Sequence, residues 1–244
     1  MLTNSPNIFA RPDEWMSQDF ATQWDDTNRT PKQSRSLHMK ILIEAILKYY
    51  KQGTYMIDCG IGSGLVEESL FSRRRDVKVI GIDCSEAMLS LCRKRLSPYR
   101  DQCVFMKQPL EKLSRKNLDT FAVSVVIAVQ TVHHLKNEAK RHMFHEIRSI
   151  LDGGGVFLLV DRFSMNTGIL FGAYEAAWDV VNKCVWRTDP APFSQYLSNV
   201  KAKNDWTNEV PEQLALLSES GFEAACVDLT IDRAFLAAVP RVTH

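Results

Sequence analysis

The sequence has almost no excess of charge of either sign. Its 244 residues include 30 lysines and arginines against 29 aspartates and glutamates, which gives a formal net charge of +1. Proteins that hold DNA or RNA by the phosphate backbone carry an excess of basic side chains. The charge balance therefore predicts no nucleic-acid partner.

Long hydrophobic runs are also missing. The longest apolar stretch, residues 121–129, is too short to cross a bilayer and fits a buried parallel strand better. The first residues lack the basic segment and apolar stretch of a secretory signal. We expect a cytoplasmic protein without a membrane partner.

Closely spaced cysteine pairs are absent. The six cysteines, at positions 59, 84, 92, 103, 184 and 226, include no C-x-x-C pair. Scattered cysteines are typical of reduced thiols in a cytosolic protein, whereas zinc sites and disulfide frameworks show regular spacing. We expect no bound metal.

Strand and helix patterns alternate from Tyr55 to Phe163. This alternation predicts a doubly wound α/β domain with a mostly parallel sheet. Beyond Phe163 the pattern changes to helical segments, which indicate an insertion. A last helix over 211–220 and two strands, 225–231 and 234–239, follow.

These changes divide the chain into four parts. Residues 1–50 are predicted to form a helical arm or cap, and 51–163 the ligand-binding core. Residues 164–208 are predicted to be a helical insertion over the site. Residues 209–244 complete the core with a helix and the closing strands.

Three alternating glycines follow the first strand, at Gly60, Gly62 and Gly64. Glycine permits positive φ and removes the β-carbons that would block a ligand, and the helix that follows presents unpaired N–H groups. A second strand ends at Asp83, whose carboxylate suits the two hydroxyls of a ribose. The pattern predicts a nucleoside-containing ligand.

The glycine spacing distinguishes two classes of ligand. A dinucleotide fingerprint, G-x-G-x-x-G/A, would need a small residue where this chain has Leu65. Here the third glycine comes one residue earlier, and the run D-x-G-x-G-x-G from Asp58 resembles motif I of the class I S-adenosylmethionine-dependent methyltransferases. The resemblance implies a seven-stranded sheet that ends in an antiparallel hairpin, with S-adenosylmethionine as cofactor and S-adenosylhomocysteine as product.

The resemblance also implies roles for the residues that match the motif. Asp58 would fix the glycine loop and the amino group of the cofactor, the three glycines would pass under its methionine part, and Asp83 would bind its ribose. Cys84 and Met88, which follow Asp83, are predicted to contact the cofactor as well.

The segment after the third strand departs from the family pattern. Where relatives have an acid that accepts a hydrogen bond from adenine, this chain has Pro109, which lacks both an N–H and a polar side chain. We expect the base to be bound by the Leu110 N–H and the Gln108 amide.

The fourth strand ends in a motif that resembles the family's His-His-Leu ending. By this resemblance Val129 would face the methionine end of the cofactor, and ligands bind beyond the carboxyl ends of such strands. His133 and His134 are therefore candidates for a base that removes a proton from the acceptor. The alternative is that these histidines only close the strand through hydrogen bonds to the backbone.

All five tryptophans lie outside the alternating core, in the arm or in the insertion. We expect these two regions to pack over the site and to form an apolar chamber that excludes water. The residues predicted to line it are Trp24, Tyr174, Trp178, Trp186 and Tyr196.

The sequence thus predicts a methyltransferase that modifies a small, partly apolar or aromatic molecule, at oxygen or nitrogen. One alternative is an enzyme similar to carboxy-S-adenosylmethionine synthase, which the C-terminal part resembles. That enzyme holds its extra carboxylate with an arginine, whereas residues 193–198 contain none. A second alternative is an interaction module that binds S-adenosylmethionine without catalysis.

Overall fold

The chain forms a seven-stranded sheet between two layers of helices. The computed structural model describes residues 14–28, 33–151, 154–203 and 205–242. The strands are β1 (Tyr55–Cys59), β2 (Lys78–Asp83), β3 (Cys103–Lys107), β4 (Val123–Val129), β5 (Val156–Arg162), β6 (Phe222–Thr230) and β7 (Arg233–Pro240). Their order in the sheet is β3-β2-β1-β4-β5-β7-β6.

Six strands run parallel to one another, and β7 runs antiparallel to its neighbours β5 and β6. The fold class and the closing hairpin predicted from the sequence are confirmed. Every residue of β5 is buried, as expected for a strand covered on both faces.

The described residues include eight α-helices. They are α1 (Gln18–Asn28), α2 (Gln33–Tyr49), α3 (Leu65–Phe71), α4 (Glu86–Arg95), α5 (Asn137–Ile150), α6 (Phe171–Val180), α7 (Phe193–Lys201) and α8 (Val210–Glu219). A π-helical turn, Val181–Trp186, continues α6.

Alternate strand residues point into two separate cores. Ile57, Ile80 and Phe157 pack with residues of α5 and α8 on one face. On the other face, their neighbours Met56 and Val79 pack with residues of α2, α3 and α4. This alternation is the period of two that a pleated strand imposes.

The predicted helical arm has two parts with different roles. Leu42 and Ile46 of α2 are fully buried against the sheet, so this half of the arm is a core layer rather than a cap. Residues 1–13 and 29–32 of the arm lie outside the described residues. Within the described part of the chain, no helix is both long and apolar enough to cross a membrane.

Two strand boundaries differ from the sequence prediction. β4 begins at Val123 rather than 121, because the Phe121 N–H donates to the Leu118 carbonyl in a turn, at 3.0 Å. β6 begins earlier than expected, at Phe222, which pairs with Pro240.

Candidate cofactor and acceptor site

The glycine loop joins β1 to α3 in a left-handed backbone conformation. Gly60, Gly62 and Gly64 have φ angles of 91°, 55° and 79°. The Gly60 N–H donates to the Ile82 carbonyl at 2.7 Å, which ties the loop to β2. A β-carbon on Gly60 would lie 2.4 Å from the Thr131 hydroxyl oxygen, so the approach of the β4 loop also requires glycine there.

The other two glycines serve different purposes. A β-carbon on Gly62 would meet only the Gly60 carbonyl, at 4.0 Å, so the space above Gly62 is open to a ligand. A β-carbon on Gly64 would lie 2.8 Å from Cys92 Sγ. Gly64 therefore permits α4 to pack against the loop, and it does not line the cavity described below.

Asp83 at the end of β2 is held by backbone donors. Its Oδ2 accepts from the Gly62 N–H at 2.9 Å, and its Oδ1 accepts from the Ser85 N–H at 2.8 Å. Burial raises the pKa of Asp83, and these N–H groups oppose that effect. Each carboxylate oxygen can accept a second hydrogen bond, so the side chain can also bind ribose hydroxyls.

Asp58 has a buried acidic partner that the sequence analysis did not identify. Asp58 is 1% exposed and Glu67 is fully buried, and the two carboxyl groups are close enough to interact electrostatically. Burial and the Glu67 charge hold the pKa of Asp58 well above its usual range, and burial raises the pKa of Glu67 to about 7. Repulsion between two neighbouring buried carboxylates favours a state in which the pair shares one proton.

The signal for Glu67 was present in the sequence. The buried residues of α3 are Val66, Glu67, Leu70 and Phe71, which lie on one helical face. A buried acid on an apolar helical face needs a partner that helps it to keep or share a proton. Here that partner is Asp58.

One continuous cavity of about 950 Å³ lies beyond the carboxyl ends of β1, β2 and β4. Eight predicted cofactor residues line it: Asp58, Gly60, Gly62, Asp83, Cys84, Met88, Leu110 and Val129. The structure thus brings these side chains and backbone segments to one space.

Gln108 does not reach this space. Its Nε2 donates to the Lys112 carbonyl at 2.7 Å, and its Oε1 accepts from Asn117 Nδ2 at 3.4 Å. The amide is therefore used within its own turn, and contact of Gln108 with adenine is not supported. Pro109 and Leu110 line the cavity instead.

The two candidate histidines have different surroundings. His133 is 4% exposed and does not line the cavity. Its Nδ1 is hydrogen-bonded to Asp161, and its N–H donates to Asp161 Oδ2 at 3.0 Å. Burial lowers the pKa of His133 despite the opposing Asp161 charge, and the bonds to Asp161 tie the end of β4 to β5.

His134 lines the cavity and is held by the insertion. Its Nδ1 lies 3.1 Å from Asp205 Oδ1. Asp205 also bonds to the buried Arg162 guanidinium. Burial opposes ionisation of Asp205, but the His134 hydrogen bond and the neighbouring cations lower its pKa below the usual range. A donor at Nδ1 leaves Nε2 as the acceptor of the neutral ring.

The same cluster has the composition of a metal site. Ligand atoms of His133, His134 and Asp205 all lie within 4.8 Å of one another. However, the Asp205 carboxylate already bonds to a guanidinium and to His134. Its charge is thus compensated by Arg162 without a metal ion, and the geometry is that of a hydrogen-bond network.

Two arm tryptophans contact the cavity. Trp15 and Trp24 both line it, and their ring centroids are 5.7 Å apart. The Trp15 ring is also 6.2 Å from that of His134. Trp15 was not among the residues predicted to line the chamber, although the arm that contains it was expected to pack over the site.

The insertion aromatics do not reach the cavity. Trp178 stacks on Tyr196 at 4.3 Å and meets Trp186 edge-on at 6.0 Å, and Tyr174 stacks on Phe193. The predicted substrate contacts of these residues are not supported, because their rings bury one another between α6 and α7. The chamber is formed by the arm instead.

Comparison with known proteins adds to this geometry. Residues 56–155 match the methyltransferase domain family. This segment is a methyltransferase domain. The predicted resemblance to class I S-adenosylmethionine-dependent methyltransferases is confirmed, and S-adenosylmethionine is the cofactor of the domain.

Two curated proteins are similar to the chain that contains this methyltransferase domain. A carboxy-S-adenosyl-L-methionine synthase of Campylobacter lari is 23% identical over 158 residues, 64% of this chain and 65% of that protein. A probable S-adenosylmethionine-dependent methyltransferase of Saccharomyces cerevisiae is 34% identical over 123 residues, 48% of this chain and 38% of that protein. The chain thus spans less than two thirds of each relative.

The fold extends beyond the methyltransferase domain. Human N-acetylserotonin methyltransferase, crystallised with S-adenosylmethionine, superimposes with a TM-score of 0.63 at 14% identity. The superposition covers 93% of this chain and 58% of that protein. It shows that nearly the whole chain follows one shared fold.

Proposed function

We propose that the protein transfers a methyl group from S-adenosylmethionine to a small, partly apolar acceptor. The observation that supports this most is the continuity of the cavity. Asp58, Gly62 and Asp83 line the same space as Trp15 and His134. A cofactor and an acceptor can therefore meet without crossing a barrier.

The residues present fit the cofactor. Asp58 Oδ1 is buried and has no hydrogen-bond partner among the described residues, so it would take a donor from a ligand. The open space above Gly62 provides room for a chain against the backbone. Asp58 would hold the ammonium group, Gly60 and Gly62 the methionine part, and Asp83 the ribose. When bound, the sulfonium supplies an activated methyl group.

The chain itself provides positioning and a proton acceptor. Holding two reactants in line contributes about 7 to 11 kcal/mol to lowering a barrier. His134, held by Asp205, would take a proton at Nε2 from a hydroxyl or amine of the acceptor. The aromatic rings of Trp15 and Trp24 would keep water from the reacting groups.

A carboxy-S-adenosylmethionine synthase is a second candidate, because four curated relatives have this activity in their names. The synthase is not favoured, because residues 193–198 contain no arginine that could hold its extra carboxylate. Phe193 and Tyr196 of this stretch lie in the aromatic cluster of the insertion.

The test uses S-adenosylmethionine with a deuterated methyl group. The protein is incubated with the low-molecular-mass fraction and, separately, with the RNA of a cell extract, and labelled products are found by mass spectrometry. We expect label in a small molecule and release of S-adenosylhomocysteine. Label in RNA alone would contradict the proposed acceptor, and no release in any fraction would favour a binding module.

A parallel reaction contains prephenate. Addition of a carboxyl group to the cofactor in that reaction would replace the proposal with the synthase. We expect no such product.

A further inference from the structure

Arg233, the first residue of β7, is a cation inside the cavity with little compensation. Its side chain is 13% exposed and lines the cavity. Among the described residues, its one hydrogen bond runs from Nη1 to Gln130 Oε1, a neutral acceptor, at 2.8 Å. A guanidinium has five N–H donors, so most of them remain for a ligand.

The neighbouring acid does not neutralise Arg233 fully. In the described part of the chain, Asp232 is the one carboxylate that forms an ion pair with Arg233. Its Oδ1 lies 4.0 Å from Arg233 Nε. The other oxygen of Asp232 accepts the Tyr196 hydroxyl. A largely buried cation at this distance from its counterion favours an additional anion.

His38 on α2 is a second polar side chain without a full set of partners. It is 1% exposed and lines the same cavity. Its Nε2 lies 2.8 Å from Asp228 Oδ2, an ion-pair distance, and neither ring nitrogen makes a hydrogen bond of good geometry among the described residues. Burial lowers the pKa of His38 despite Asp228, and the Arg233 charge adds to this effect. With a proton on Nε2 towards Asp228, Nδ1 is an unused acceptor.

Arg233 lies away from the cofactor acids in the sheet order. Arg233 pairs in register with Arg162 at the carboxyl end of β5, and Gln130 directly follows β4. Asp58 and Asp83 belong to β1 and β2 on the other side of β4. Asp58 and Asp83 thus lie on the cofactor side of β4, and Arg233 lies on the side where the acceptor would bind.

We propose that Arg233 and His38 form a subsite for a methyl acceptor that carries a carboxylate. The guanidinium binds the carboxylate, and His38 Nδ1 accepts a hydrogen bond from a hydroxyl or amine of the same molecule. The subsite rests on the proposed function, since it names the acceptor class of that cavity.

A carboxylate fits this geometry better than a phosphate. One guanidinium can bind a carboxylate through two parallel hydrogen bonds. A dianionic phosphate would bring a second negative charge towards the lone pair of His38 Nδ1 and the charge of Asp228.

The test measures binding to protein saturated with S-adenosylhomocysteine. Salicylate and salicylamide have the same shape and differ in charge, and benzoate lacks only the hydroxyl of salicylate. In calorimetry, wild type should bind salicylate at least about ten-fold more tightly than salicylamide. This factor corresponds to the lower end of the range for one charge-assisted hydrogen bond. It should also prefer salicylate to benzoate.

Arg233→Gln should abolish the preference for the acid, Arg233→Lys should keep part of it, and His38→Phe should abolish the preference for the hydroxyl. The control is Arg141→Gln, an exposed arginine on α5 whose side chain is 50% accessible. It should bind like wild type. Thermal melting of each variant establishes that it is folded. If Arg233→Gln does not fold, the test is made with Arg233→Lys.

Three results would overturn the subsite. The first is that wild type binds salicylate and salicylamide equally, and the second is that it binds neither. The third is that Arg233→Gln loses about ten-fold or more of its affinity for S-adenosylmethionine, which would assign Arg233 to the cofactor. If wild type does not bind S-adenosylhomocysteine at all, the proposed function itself fails. That failure is seen before any acid is added.

Discussion

His134 Nδ1 lies 3.1 Å from Asp205 Oδ1, so a residue of the insertion holds the ring that closes the fourth strand. Asp205 also bonds to Arg162, which is 6% exposed, as a second anchor. The insertion therefore reaches the site through one carboxylate, although its aromatic rings lie elsewhere.

His134→Gln should lower the rate of methyl transfer by about 100-fold or more, the usual contribution of a general base. Affinity for S-adenosylmethionine should stay within about two-fold of wild type. His133→Gln should instead lower the melting temperature, because His133 is buried and bonded to Asp161. His145→Gln, on an exposed part of α5, is the control. An unchanged rate in His134→Gln would exclude it as the base.

Gly64→Ala should destabilise the protein more than Gly53→Ala does. Both glycines have φ near +80°, but only at Gly64 would the new β-carbon meet an atom, Cys92 Sγ at 2.8 Å. We expect a loss of about 1 to 2 kcal/mol for Gly53→Ala from backbone strain alone. Overpacking should add about 1 to 3 kcal/mol at Gly64. Equal urea midpoints for the two variants would contradict this packing role.

The Asp58 and Glu67 pair should make stability depend on pH. Folding raises the pKa of Glu67 from an ordinary 4.5 to about 7, so the folded state keeps a proton that the unfolded state has released. The free energy of unfolding should therefore fall by a few kcal/mol as pH rises through this range, and then level off. The raised pKa of Asp58 acts in the same direction.

Urea denaturation across this pH range measures the effect. Glu67→Gln should largely flatten the dependence, whereas Glu68→Gln, whose side chain is 58% exposed, should keep it. A wild-type stability that rises with pH over the same range would contradict a shared proton.

Trp24→Phe should reduce the fluorescence change that S-adenosylhomocysteine produces, and Trp178→Phe should leave it intact. Trp24 lines the cavity, while Trp178 is enclosed by Trp186 and Tyr196. The opposite pattern would restore the insertion aromatics as the lining of the chamber.

The cofactor half of the site could be predicted from the sequence because its residues are local. Asp58, Gly60 and Gly62 fall within one strand and turn, and Asp83 ends the next strand. Their positions follow from strand order alone. The closing hairpin likewise followed from a family pattern.

The acceptor half could not be predicted in the same way, because it depends on contacts between distant segments. His38 and Arg233 lie at opposite ends of the chain and meet only through the packing of α2 on the sheet. Trp178 and Trp186 looked like lining residues because they are aromatic, yet they are buried against each other and against neighbours that include Phe193 and Ile231.

The central claim is that the cavity binds S-adenosylmethionine through the glycine loop and Asp83. Calorimetry of wild type, Asp83→Asn and the exposed control Asp101→Asn tests this most directly. Wild type and Asp101→Asn should bind one equivalent with equal affinity. Asp83→Asn should bind about 10- to 100-fold more weakly, since it loses charge-assisted bonds to the ribose. No binding by wild type, or an unchanged affinity in Asp83→Asn, would contradict the account.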